Sequence, residues 1–225
     1  MSGVLIHINV PQRSNATEGQ RERTERLIMK RTLITALVAL AAAAPACAQS
    51  AGDWTIGLGI GWVSPKDDNG LLAGAATSVD EDISATITAE YFPWDNIGIE
   101  LLAATPFEHT ATIAGVGTAT TKHLPPTLSL VYHIPTAGKI TPFVGAGLNY
   151  TTFFSEESAL GNVELDDSFG LALKAGFDVA ISEKGAFRTE VRWMDIESDV
   201  SLNGAPIGTV DIDPIVVNLA YVIKF

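Results

Sequence analysis

The chain has 225 residues, 47% of them hydrophobic and 18% charged, with 14 Lys+Arg against 26 Asp+Glu and a formal net charge of −12. That acidic excess argues against nucleic acid as a partner, and a lone cysteine, Cys47, excludes an internal disulfide framework. After the first 48 residues no linker or charge block divides the chain and no useful helix-period segment appears, which leaves one domain built from strands.

Met1 to Ile28 is charged and lacks a periodic apolar pattern, and the composition changes at Met29. Lys30-Arg31, the apolar run Thr32 to Ala44 and then Ala46-Cys47-Ala48 read as a secretory signal peptide cut after Ala48. The expected organisation is therefore an over-extended gene start at 1–28, a signal peptide at 29–48 and one domain at 49–225. The apolar run is shorter than the ~20 residues that a membrane-crossing helix needs. The expected mature chain has no cysteine, and it carries eight Lys+Arg against 23 Asp+Glu, a net of −15.

From Asp53 to Ser64, Trp54, Ile56, Leu58, Ile60 and Trp62 alternate with Thr55, Gly57, Gly59, Gly61 and Val63. Period two marks a strand. The run Gly57-Leu58-Gly59-Ile60-Gly61 only superficially resembles a nucleotide loop, because no helix follows it. Pro65 to Asp80 reads as a long polar loop. Strands follow at Asp82 to Phe92 and Ile97 to Thr105, joined at Pro93-Trp94-Asp95-Asn96, then a loop or hairpin tip from Pro106 to Thr121 and a strand from Leu124 to Ile134. Thr141 to Phe154 is a fifth strand and Ser155 to Asp167 an acidic loop.

Ser168 to Ile181 is the clearest segment. Phe169, Leu171, Leu173, Ala175, Phe177, Val179 and Ile181 are apolar, while Ser168, Gly170, Ala172, Lys174, Gly176, Asp178 and Ala180 are small or charged. An unbroken apolar face long enough to cross a bilayer, opposite a narrow polar one, points to lipid outside and a lumen inside; a tilted membrane strand needs about 9 to 11 residues. Strands at Ala186 to Val200 and up to Phe225 bring the number to eight. Three short turns, at Pro93, Pro135 and Ser182, alternate with four longer loops, and aromatic residues gather toward both strand ends as two interfacial girdles. The expected fold is all-β, an eight-stranded antiparallel transmembrane up-and-down barrel with both termini on the periplasmic side, closed because lipid tolerates no open sheet edge. A soluble lipocalin-like carrier, also eight-stranded, is disfavoured by the outward Trp54, Leu58, Trp62, Leu171 and Phe177.

Lys122-His123-Leu124-Pro125-Pro126-Thr127-Leu128, Ala104-Thr105-Pro106-Phe107-Glu108-His109 and Pro142-Phe143-Val144-Gly145-Ala146-Gly147-Leu148-Asn149-Tyr150 resemble the OmpW family of small outer-membrane barrels. The resemblance covers essentially all of 49–225. It implies an eight-stranded barrel in the outer membrane, associated with passage of small hydrophobic molecules. Terminal Phe225 resembles the aromatic signal read by the outer-membrane assembly machinery.

Inward positions hold Glu90, Glu100, Asp178 and Glu190 against Lys174, Arg188, Arg192 and Lys224. An eight-stranded barrel is only just wide enough to be filled by side chains, so these eight are expected to pair as an ionic plug; a proton or ion pathway is the competing reading. Toward the long loops the inward positions become apolar, with Val63, Leu102, Phe153, Met194, Ile196 and Ile212, an expected pocket for a small hydrophobic ligand. Pro106, Pro125 and Pro126 remove backbone donors from neighbouring strands at similar height, and are either a lateral gate to the bilayer or simply the place where pairing ends. The many loop carboxylates form a solvated surface or meet divalent cations of the lipopolysaccharide layer, but no loop has EF-hand spacing, so neither metal nor cofactor is expected. The expected partners are outer-membrane lipid and lipopolysaccharide, the assembly machinery and a small hydrophobic ligand. A surface protein without transport remains the alternative. A lipid-modifying enzyme using His109 or His123 with Ser155 or Ser158 is not favoured, since no G-x-S-x-G elbow occurs.

Overall fold

The structure, a computed structural model, describes residues 49–225; the expected gene-start extension and signal peptide lie outside the described residues. Fifteen strands follow one another there: β1 (Trp54–Ser64), β2 (Leu71–Leu72), β3 (Ala75–Val79), β4 (Asp82–Trp94), β5 (Ile97–Ala104), β6 (Phe107–Ile113), β7 (Gly117–Leu124), β8 (Thr127–His133), β9 (Ile140–Ser158), β10 (Val163–Leu165), β11 (Ser168–Ala180), β12 (Gly185–Met194), β13 (Glu197–Leu202), β14 (Ala205–Asp211) and β15 (Ile215–Lys224). Strands β1, β4, β5, β8, β9, β11, β12 and β15 pair antiparallel, each with the next, and β15 returns to β1 through Thr55↔Lys224 to Ser64↔Ile215. The barrel is thus closed and has eight staves.

Alternation along each stave sets its two faces. On β11, Phe169, Leu171, Leu173 and Phe177 are exposed while Ser168, Lys174 and Asp178 are buried in the lumen. Leu58, Ile60, Ile83, Leu128, Leu130 and Leu219 continue the exposed apolar band around the outside. A band of this kind on a sheet with no free edge is matched to lipid, which offers backbone groups no hydrogen bonds.

The long connections are not irregular. They fold into a second wall above the barrel, a crown in which β10, β13, β14, β2, β3, β6, β7 and the upper part of β9 pair in that order. The fifth stave accordingly runs past the expected end at Phe154 to Ser158, bending at Ser155, whose φ of 57° accompanies a register shift against β7. The expected single strand Ala186 to Val200 is two strands. At Asp195-Ile196 the chain leaves the barrel ladder for the crown, Asp195 N donating to Leu171 O and Ile196 N to Asp213 Oδ1. The last stave is likewise separated from β14 at Ile212-Asp213-Pro214.

Candidate functional site

Strand register assembles the mid-lumen charges. Glu90 lies opposite Glu100 across β4 and β5, and Lys174 opposite Arg192 across β11 and β12, so adjacent staves carry like charges side by side. Each pair finds its opposite sign across the lumen. Lys174 Nζ lies 2.7 Å from both Glu100 and Glu190. Arg188 forks onto Asp178 at 2.8 and 3.0 Å and reaches Glu100 at 2.8 Å and Glu90 at 3.3 Å. Arg192 bonds Glu100 at 2.8 Å and Glu190 at 3.1 Å. All seven side chains are buried.

Room for this cluster comes from glycine. A Cβ on Gly98 would stand 2.1 Å from Glu90 Oε1, and one on Gly176 would meet Thr189 O at 2.3 Å and Phe143 Cζ at 2.7 Å. Lys224, expected to be the eighth member, lines a recess on the short-turn side of the cluster together with Asp178. It sits at the short-turn end, 2.6 Å from Asp53. Its period-two position is inward, four residues beyond Ala220, the β15 partner of Arg188.

Two residues complete the cluster that charge counting passed over. His133, fully buried, places Nε2 2.8 Å from Glu90 and Nδ1 3.9 Å from Asp178, so four carboxylates face three permanent cations and one imidazole. Phe143 lies below, with Lys174 Nζ 5.0 Å and Arg188 Cζ 4.7 Å from its ring centre. Both face inward by alternation; His133 was neutral in the count and Phe143 apolar.

Above the charges the interior is apolar. Val63, Phe153, Met194, Ile196 and Ile212 pack in one buried apolar cluster with Phe107 and Val216, and Leu102 is also buried. Higher, within the crown, Leu72, Ile113, Leu160, Val163, Val200 and Val210 help to line an apolar cavity of about 40 Å³ that is partly open to solvent. None of the six residues expected to form the pocket lines it. Alternation assigns a side chain to the inside, but not the height at which the interior stops being filled.

The expected gate residues stand where the wall changes from barrel to crown. The β5–β8 ladder ends at Leu102↔Thr127 and pairing resumes at Phe107↔His123 in the β6–β7 hairpin, leaving 103–106 and 124–126 between them. Asn149, fully buried on β9, braces one side: its Nδ2 donates toward Pro125 O at 3.2 Å, Pro126 O at 3.4 Å and Thr127 Oγ1 at 3.0 Å. Tyr150 N adds a bond to Pro126 O at 3.0 Å. On the other side Thr105 N is held by Ala85 O at 2.9 Å. Terminal Phe225 is exposed at the short-turn end, its N donating to Trp54 O at 2.9 Å.

Just above this break His109 and His123 stack, ring centres 5.0 Å apart and planes 14° apart, with Phe107 against both rings and Phe153 against His123. Burial pushes the His109 imidazole below the ordinary histidine range, opposed by its bond to the Asp80 carbonyl and by the Asp82 and Asp80 charges. His123 is pushed down to about 3, by burial first and by His109 second.

A sequence model of the OmpW family matches residues 50–225. Outer membrane protein W of Vibrio cholerae serotype O1 is 36% identical over 203 residues, covering 82% of this chain and 94% of that protein. Outer membrane protein W of Escherichia coli is 37% identical over 191 residues, covering 79% and 90%. The crystal structure of OprG from Pseudomonas aeruginosa superposes with a TM-score of 0.71 at 34% identity, over 80% of this chain and 98% of that one. With a closed eight-stave barrel, an apolar outer band and these relatives, the chain belongs to the OmpW family of outer-membrane β-barrel proteins.

Proposed function

We propose that the protein takes small hydrophobic molecules into the crown cavity and releases them sideways into the bilayer between β5 and β8, the ionic cluster closing the lumen as a plug. The observation that carries this reading is the order of surroundings along the barrel axis: an apolar cavity, a packed apolar neck, then buried charges. An apolar solute gains by leaving water for the cavity at roughly 25 cal/mol per Å² of apolar area. Going on through the cluster would separate ion pairs without water to replace them, whereas the wall beside the neck has lost its ladder at Pro106 and Pro125-Pro126.

The test separates binding from release. Leu160→Asp with Ile207→Asp puts two charges on the cavity wall, and binding of an apolar fluorescent probe such as N-phenyl-naphthylamine should fall at least tenfold. Glu108 and Lys122 lie directly opposite at the hairpin base; a disulfide between Glu108→Cys and Lys122→Cys should leave binding intact and slow transfer into liposomes, with recovery on reduction. Transfer at the normal rate with the hairpin locked would send the molecule through the lumen instead.

A further inference from the structure

His109 and His123 are a poor choice for a purely structural neck. Each is almost wholly buried, 2% and 1% exposed. His109 Nδ1 is 2.5 Å from Asp80 O, so it carries the proton and leaves Nε2 as a bare acceptor. Among the described residues His109 Nε2 and His123 Nδ1 find no hydrogen-bond partner. A phenyl ring would fill the same stack without two stranded nitrogens, each of which carries a desolvation cost. What phenyl lacks is the ability to gain a proton.

The charges around the pair are few. Asp80, between β3 and β4, and Asp82, the first residue of β4, face His109, and Asp82 Oδ2 also accepts from Glu108 N at 2.9 Å. From β9 the contact is the Phe153 ring, and from β6 the Phe107 ring. Glu108 and Lys122 pair with each other at 3.3 Å, exposed on the other face of the hairpin. A first proton on His109 thus has partial support from two carboxylates, while a second on His123 meets an adjacent imidazolium and two phenyl rings. The parallel stack also keeps the ring nitrogens from converging on one metal ion, since their lone pairs lie in the ring planes.

We propose that His109 and His123 form an acid-released latch: neutral and stacked, they hold the base of the β6–β7 hairpin against β9 and the Asp80 segment, and protonated they free it. The sign follows from burial. Above the ordinary histidine value of 6.5 both the closed and the open hairpin carry neutral rings, and the full hold is present. As pH falls the open form takes up the proton first, so the hold weakens through the interval down to about 3. One such histidine multiplies the opening constant about tenfold per pH unit within that interval. The latch is independent of the route a ligand takes, because its opening is measured with no ligand present.

Hydrogen–deuterium exchange of the protein in lipid nanodiscs between pH 7 and pH 4, corrected for the intrinsic pH dependence of exchange, tests it. Amides of Phe107–Ile113 and Gly117–Leu124 should lose protection about tenfold or more per pH unit below about 6.5, while β11 amides stay unchanged. His109→Gln with His123→Phe should keep neutral-pH protection and abolish the acid response. Flat protection in the wild type overturns the latch, as does an equal acid response in the double variant, which would assign it to Asp80 and Asp82. Should the double variant fail to fold, side-chain ¹⁵N shifts of the wild type decide: both rings neutral at pH 6 while the hairpin is protected is expected, and a charged ring in a protected hairpin overturns it.

Discussion

Arg188 touches three of the four buried carboxylates, so its charge matters more than its packing. Arg188→Met should lower unfolding stability in detergent by about 3 to 5 kcal/mol, since it leaves Asp178, Glu100 and Glu90 buried with fewer partners. Lys224→Met, at the half-buried pair with Asp53, should cost about 1 kcal/mol or less. Equal losses in urea titrations would mean that the cluster is wetter than its burial indicates. At this scale the alternation was legible: Glu90, Glu100, Lys174, Asp178, Arg188, Glu190 and Arg192 all occupy lumen positions of their strands. What alternation could not tell was height, and it offered no reason to join His133 to Glu90.

Elements were legible where one face meets lipid and illegible where both meet water. β11 announces itself because Phe169 to Phe177 stay apolar at every second position. In the crown, Glu197 to Leu202 alternates Glu, Asp and Ser with Ser, Val and Leu, a pattern too shallow to distinguish from a loop, and β2 has only two residues. The crown's strands are set by pairing partners distant in sequence, as in β14 with β2 through Gly208↔Leu72, and no local pattern encodes that. The brace at Asn149 is similar: its position on β9 is inward, but its acceptors are carbonyls 23 and 24 residues away. Asn149→Ala should leave the Pro125 carbonyl with the Thr127 hydroxyl, at 3.0 Å, as its side-chain donor and remove the brace to β9, at a cost of about 1 kcal/mol. The loss should be local, with faster hydrogen exchange at Thr127 and Tyr150 and an unchanged barrel; uniform loss of protection over all staves would show instead that Asn149 supports the barrel as a whole.

At the scale of the whole molecule the proposed plug and the apolar neck above it would act as two barriers in series along the axis. The neck is a cluster of buried apolar side chains that includes Val63, Met194 and Val216, and the seven charges below it are paired with one another. A passing ion would shed hydration at the neck, at several kcal/mol even after relaxation, and then displace at least one of the contacts at 2.7 to 2.8 Å that hold Glu100. Planar-bilayer recordings of the reconstituted protein should therefore show no steady conductance above the bare bilayer in molar salt, while transfer of an apolar probe proceeds in liposomes made from the same preparation. The pairing of the two measurements is what gives the outcome meaning. Transfer without conductance is expected when the apolar solute leaves through the wall beside the neck. If a steady, salt-proportional current appears together with transfer, and if Glu100→Gln changes its ion selectivity, the lumen is open through the cluster and the sideways route is unnecessary.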